Sequence, residues 1–409
     1  MNILYNTGIY LYITAVRIAS FFDLRARLWV RGRKNWREKV REKISPGDKV
    51  FWIHCASLGE FEQGRPVVEE IRRQKPGIKI VLSFFSPSGY EIRKDYPGAD
   101  LVTYLPADTR RNASAFIDLI HPEAAMFVKY EFWYNYISVL HEKNVPAYLI
   151  SGIFRPQQHF FRWYGSFFRK MLFRFSKIFV QDDGSLMLLK GIGIKNAEKA
   201  GDTRFDRVAE IASHARDIEK LEQFRGNEKL LLAGSSWRQD EEIVAGYINE
   251  NPGRMKWVFA PHEIDDANIE RLEKLFSTSV IRFSKFDIKD DARVMIIDNI
   301  GMLSSAYRYA HIAIVGGGFG KGIHNILEPA CWGIPVLFGP RHEKFREAIE
   351  LLKVNGGITF NSFESFKAAI DKLLSDEAFY LKSGNEASSY VNNNKGATNI
   401  ILREVIDRL

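Results

Sequence analysis

A chain of 409 residues has room for two domains of ordinary size, and 46% hydrophobic against 26% charged residues excludes a disordered chain. Its net charge of +8 suits an anionic partner: nucleic acid, a membrane surface or a phosphorylated substrate. The two cysteines, Cys55 and Cys331, have no nearby cysteine and no metal-ligand spacing. This argues against a disulfide scaffold and a zinc site, and both thiols read as buried and structural.

Residues 3–22 are strongly apolar but interrupted by Asn6, Thr7, Thr14, Arg17 and Ser20. The stretch lacks the early positive charge and the small-residue cleavage site of a signal peptide. A basic run follows, from Arg25 to Lys43, with Trp29 and Trp36 inside it. An apolar segment, basic residues and interfacial tryptophans predict a membrane-anchoring helix in a segment 1–43, either spanning or lying in the interface. The competing reading is a helix packed on its own domain with a solvated basic face.

Strands are predicted at Val50–Ile53, Ile78–Ser83, Ala124–Val128 and Ala147–Ile150, with helical patterns between them, which implies parallel βαβ units. In residues 154–180, Arg155, Arg162, Arg169, Lys170, Arg174 and Lys177 alternate with aromatics. That interleaving suits nucleic acid, or a lipid with a phosphorylated head group, or a buried amphipathic helix with snorkelling arginines. Gly201–Asp206 closes this half, and a charged helical connector leads to a second series. Its strands are predicted at Leu230–Ala233, Trp257–Ala260, Val294–Ile297, Ile312–Val315 and Pro335–Phe338. The expected architecture is α/β: two Rossmann-like domains facing a cleft, one over 44–206 and one over 207–409.

Small polar residues gather at the predicted strand ends, where α/β folds build their sites. Ser57 and Gly59 make a turn before Glu60, a carboxylate able to take a proton or merely to complement a helix dipole. Ser86-Pro87-Ser88 and Lys129-Tyr130-Glu131 follow two further strands. In the second half, Ser235 and Ser236 follow one strand and Pro261-His262-Glu263 another. After Ile312–Val315 come Gly316, Gly317, Gly318, Gly320 and Gly322, then His324, Asn325 and Glu328 on the expected first turns of a helix. Such a loop holds phosphate on backbone N–H groups, and Glu328 is placed to bind ribose hydroxyls; the competing reading is a turn that lets a helix pack on its sheet.

These motifs resemble the 3-deoxy-D-manno-octulosonic acid (Kdo) transferases. The carriers are HCASLGE at 54–60, SFFSPSGYE at 83–91, KYEFWYN at 129–135, QDD at 181–183, GDTRFD at 201–206, AGSSW at 233–237 and GIHNILEPACWGIPVLFGP at 322–340. The resemblance implies a GT-B fold with an N-terminal membrane anchor. It also implies an inverting transfer, without metal or cofactor, of Kdo from CMP-Kdo onto the lipid A precursor lipid IVA in lipopolysaccharide biosynthesis. It puts the enzyme on the cytoplasmic face of the bacterial inner membrane. By the same resemblance Glu60 is the catalytic base and Glu131 a second acid beside the acceptor, with Ser57, Gly59, Ser88, Arg155 and Arg162 on the acceptor side. Ser235, Ser236, Pro261, His262, Gly316, Gly317, Gly318, Asn325 and Glu328 take the donor. Three positions depart from the family pattern: Lys129 stands for an acid, Pro261-His262-Glu263 for Pro-Arg-His, and Ile323 for a glycine. The alternatives are another GT-B enzyme using a UDP-sugar on a lipid or peptidoglycan precursor, and a membrane-associated RNA-binding protein. Under the Kdo reading no nucleic acid is expected as partner.

Overall fold

The computed structural model describes residues 2–409. It divides into two compact units, one of residues up to Arg207 with Lys395–Leu409, the other Val208–Asn394.

The first unit is built on seven parallel strands: β1 (Val50–Cys55), β2 (Lys79–Phe84), β3 (Leu101–Tyr104), β4 (Pro122–Val128), β5 (Ala147–Gly152), β6 (Lys177–Val180) and β7 (Ala197–Lys199). Their order is β3-β2-β1-β4-β5-β6-β7. Every residue of β1 is buried, so both faces are covered. Trp52, Val81 and Phe127 pack with Phe116 and Tyr136 on one face. Phe51, Ile53, Leu82 and Met126 pack with Phe61 and Val68 on the other. Residues 395–409, expected in the second domain, pack on this unit instead. Ile401, Leu402 and Val405 join that second cluster. The Asp206 carboxylate fixes the turn, accepting from Gly396 N at 2.6 Å and Thr398 N at 2.7 Å.

Helix Asn2–Ala19 buries none of its residues fully. It is tied to the unit by polar contacts. Tyr5 Oη donates to Asp108 Oδ2 at 2.5 Å, and Asn135 Nδ2 donates to Asn6 Oδ1 at 2.9 Å. Burial pushes the Asp108 carboxyl up to about 6, against the pull of Tyr5 and two backbone N–H donors. Ile3, Leu4, Leu11, Ile18, Phe21 and Phe22 stay exposed. Among the described residues no helix is long and apolar enough to cross a membrane.

The tryptophans expected at an interface are core residues. Trp29 and Trp36 are 7% and 6% exposed. Trp36 packs on Phe116 at 5.7 Å between ring centroids. Arg33 lies 3.7 Å over the Trp29 ring and donates to the carbonyls of Leu105 and Phe85, each at 2.8 Å. Part of the basic run is therefore internal mortar, not a membrane-facing charge.

In the second unit, β8 (Leu230–Ser236), β9 (Lys256–Pro261), β10 (Val280–Arg282), β11 (Val294–Ile296), β12 (Ile312–Val315), β13 (Val336–Phe338) and β14 (Gly357–Thr359) form another parallel sheet. The order is β10-β11-β9-β8-β12-β13-β14. Both units thus have central strands whose carboxyl ends carry the motif loops.

Candidate functional site

In the first unit, β1 runs into helix Leu58–Gln74, which begins with a reciprocal cap. Ser57 N donates to Glu60 Oε2 at 2.8 Å, and Ser57 Oγ donates to the same oxygen at 3.1 Å. Glu60 therefore has a structural role beyond the helix dipole weighed against catalysis: it closes a capping box. It also has a base's electrostatics. Burial first, then the charge of Glu131, hold its carboxyl above the usual carboxylate range, opposed by the Ser57 hydrogen bonds and His54. A carboxylate with raised proton affinity is the better proton acceptor.

Glu131 sits in the loop after β4 and is 7% exposed. Its Oε2 accepts from Trp133 Nε1 at 2.6 Å and lies 3.0 Å from His54 Nε2. The two catalytic candidates are thus brought into one field. Arg155 and Tyr130 border it: the Tyr130 hydroxyl is raised by burial and by Glu60, and lowered by Arg155. Arg155, Tyr130, Tyr5, Phe132, Phe160 and Met171 line a largely apolar cavity of about 680 Å3. Ser88 and Arg162 are exposed and engaged elsewhere. Ser88 Oγ is 2.7 Å from Ser86 Oγ, and Arg162 Nε donates to Gln157 O at 3.4 Å. Gly59 is exposed with open space where a Cβ would stand. The segment 154–180 divides between core and surface: Phe154, Phe160, Phe167 and Phe175 are buried, whereas Trp163, Tyr164 and Phe173 are exposed.

In the second unit, three strand-end loops pack together. A Cβ on Gly318 would lie 2.6 Å from Gly339 Cα, and Gly317 has φ +92°. These glycines serve loop packing whatever else they bind. Asp240 fastens the arrangement, its Oδ2 accepting from Trp237 N at 3.0 Å and Gly317 N at 2.9 Å. Burial pushes its carboxyl up to about 6. Pro261 ends β9, and His262 follows, stacked 4.5 Å from Trp237 and 4.7 Å from His324 between ring centroids. Trp237 Nε1 donates to His324 Nε2 at 3.0 Å. Burial, then His262, lower His324 to about 4, so it accepts as the neutral ring at pH 7. Trp237, His262 and His324 form a flat, partly exposed stack beside the glycine loop.

One expectation here is corrected. The helix after the glycine loop is only Leu327–Cys331, so His324 and Asn325 precede it and are not on its first turns. Pro329 lies within that short helix, and Asn325 Oδ1 accepts from the N–H of its first residue, Leu327, at 3.2 Å. Ser236 is turned inward: it is 2% exposed and its hydroxyl donates to Glu241 Oε1 at 2.9 Å. Glu241 is in turn paired with Arg271. Ser235, at φ +50°, is left as the serine whose backbone bends toward the glycine loop. Asn325 and Glu328 do meet: Asn325 Nδ2 donates to Glu328 Oε1 at 2.9 Å, while Ser304 Oγ donates to Oε2 at 2.6 Å. His54, Ser83, Trp237 and Asp240 are site residues that the motif reading did not single out.

Residues 33–207 match the family model described as 3-Deoxy-D-manno-octulosonic-acid transferase (kdotransferase). Residues 33–207 thus carry a domain similar to that of the Kdo transferases. Kdo transferases are glycosyltransferases, which gives the enzyme class. The similarity runs beyond the matched domain. The 3-deoxy-D-manno-octulosonic acid transferase of Aquifex aeolicus is 28% identical over 323 residues, covering 77% of this chain and 83% of that protein. The enzyme of the same name from Haemophilus influenzae is 24% identical over 373 residues, 87% of this chain and 86% of its own. Among solved structures, UDP-GlcNAc 2-epimerase from Neisseria meningitidis superposes with a TM-score of 0.61 at 15% identity, covering 88% of this chain and 100% of its own. That likeness concerns the fold alone and agrees with the GT-B class expected for a Kdo transferase.

Proposed function

We propose that this protein is a Kdo transferase that moves Kdo from CMP-Kdo onto the lipid A precursor lipid IVA, with inversion and without a metal ion. The observation that carries the reading is Glu60, a carboxylate at a strand end whose proton affinity is raised by burial and by Glu131. In a single displacement, Glu60 takes the proton of an acceptor hydroxyl as that oxygen attacks the anomeric carbon of Kdo. The new carbon–oxygen bond forms as the bond to the CMP phosphate breaks, and CMP leaves with the electron pair. On the donor side, Glu328 would bind the ribose and the Gly316–Gly318 backbone would face the phosphate, with Asn325, Ser235, Pro261 and His262 around the nucleotide. The aromatic-walled cavity beside Tyr130, with Arg155 at its edge, suits an acylated, phosphorylated acceptor.

Product stereochemistry tests the displacement. With EDTA present, NMR of the new glycoside should give the anomeric configuration opposite to the donor's. Retained configuration, or no product until a divalent ion is restored, would contradict the reading.

The same proposal seats the enzyme on the cytoplasmic face of the inner membrane through the exposed apolar face of helix Asn2–Ala19. Replacing Ile3, Leu4 and Leu11 together by aspartate should reduce flotation with anionic phospholipid vesicles by at least about tenfold, since each leucine-sized side chain contributes roughly 1.5–3 kcal/mol when fully buried. Unchanged flotation would remove this helix from the membrane contact.

A further inference from the structure

We propose that His54 is a positioning residue for transfer: spanning three adjacent strands, it fixes the Glu131 carboxylate so that its negative charge acts on Glu60. The inference rests on the reading of Glu60 as base.

His54 is the penultimate residue of β1 and is fully buried among the apolar side chains of the central strands. A buried imidazole is costly unless both nitrogens find partners, and here both do. Nδ1 lies 2.9 Å from Ser83 Oγ and 3.1 Å from Ser83 O, on β2. Nε2 lies 3.0 Å from Glu131 Oε2, in the loop after β4. Strands β2 and β4 flank β1, so the ring bridges the centre of the sheet to the loop that carries Glu131.

The line is anchored at both ends. Trp133 Nε1 lies against both groups, donating to Glu131 Oε2 at 2.6 Å and to His54 Nε2 at 3.1 Å. At the other end, Trp52 Nε1 donates to Ser83 Oγ at 2.8 Å. Trp52, Ser83, His54 and Trp133 thus form a hydrogen-bonded line that ends on the Glu131 carboxylate. His54 and Trp133 together hold the Glu131 carboxylate in place, and without the ring the side chain loses one of its two anchors and its charge is no longer fixed beside Glu60.

The consequence falls on Glu60, whose proton affinity is raised by the Glu131 charge after burial itself. The groups facing this pair are few. Glu60 faces Glu131, His54 and Ser57. Cys55 and Tyr130 lie in its field, with Glu62 acting on Cys55 and Arg155 and Asp182 on Tyr130. Asp108 feels His54 from the loop before helix Arg110–Ile120. Loss of the charge on Glu131 would lower the proton affinity of Glu60. The acid limb of kcat/KM then moves to lower pH, and the plateau falls because the base is weaker, by up to about tenfold for each pH unit of movement.

The test is the pH profile of transfer for the full chain and its variants. His54→Phe keeps the ring's volume and loses both hydrogen bonds. It should move the acid limb down and lower the plateau, as Glu131→Gln should. His54→Gln, which still carries an N–H toward Glu131, should return both toward wild type. In the Glu131→Gln background His54→Phe should add no further shift. If His54→Phe does not fold, His54→Asn retains the Ser83 contact, loses the reach to Glu131, and should move the limb in the same direction. An unshifted limb in the folded variant, or a further shift on top of Glu131→Gln, would overturn the proposal while Glu60→Ala remained inactive. Wild-type transfer by Glu60→Ala would overturn the base assignment and this proposal together.

Discussion

Glu60→Ala is expected to lower kcat for transfer by about 10²–10⁴-fold, the usual worth of a general base, and to leave CMP affinity unchanged. The separation follows from the chain. Glu60 opens helix Leu58–Gln74 in the first unit, whereas the residues assigned to the donor all lie between Ser235 and Glu328, in the second. One confounding effect is legible in the structure. Glu60 also closes the capping box with Ser57, and losing a cap costs roughly 0.5–2 kcal/mol of stability. Glu60→Gln removes that ambiguity. Glutamine at this helix position retains the box but has no carboxylate to accept the proton. It should lose transfer as severely as alanine while unfolding near the wild-type temperature. CMP titration calorimetry on all three proteins checks the binding side, and a loss of CMP affinity parallel to the loss of rate would contradict the assignment.

The second large effect is expected at Glu328. Its two oxygens are held apart by different donors, Asn325 Nδ2 on Oε1 and Ser304 Oγ on Oε2, so the carboxylate is oriented before any ligand arrives. A hydrogen bond from a ribose hydroxyl to a charged group is worth about 1.5–3 kcal/mol, so Glu328→Ala should weaken CMP binding by roughly 10–150-fold. Thermal unfolding in the absence of nucleotide separates this from damage to the Ser304–Asn325 contacts. Native CMP affinity in Glu328→Ala would reduce Glu328 to a residue that braces a short helix.

The central strands of both sheets were legible because they are continuous apolar runs ending in glycine, serine or a carboxylate. The edge strands were not. β7 is Ala197–Lys199, β10 is Val280–Arg282 and β14 is Gly357–Thr359, each three residues long and too short for a periodic signal. β6, Lys177–Val180, was hidden in a run of phenylalanine and arginine that resembles a binding surface by composition. Composition misled at Trp29 and Trp36 as well, where an aromatic beside basic residues reads as interfacial but packs inward. The distant partners decide the matter: Phe116 packs on Trp36, and the Leu105 carbonyl holds the Arg33 that covers Trp29, and neither is a neighbour in sequence. For the same reason Ser236 and Ser235 look alike in the chain. Only the fold turns one hydroxyl onto Glu241 and bends the backbone at the other. The motif containing His54 stood out, but its partners Ser83, on β2, and Glu131, in the loop after β4, are 29 and 77 residues away. Pairing of that kind is fixed by the β2-β1-β4 order, which a single sequence does not reveal. The C-terminal helix gave no sign of which sheet it covers; Asp206, which anchors its start, lies 190 residues earlier.

The most direct test of the central claim is transfer itself. Wild-type protein, CMP-Kdo generated in situ and tetraacylated lipid A precursor are incubated with EDTA, and the lipid product is read by mass spectrometry. The account predicts a product heavier by one or more Kdo residues. No Kdo-bearing product, together with protection of the protein against thermal unfolding by a UDP-sugar and not by CMP, would contradict it.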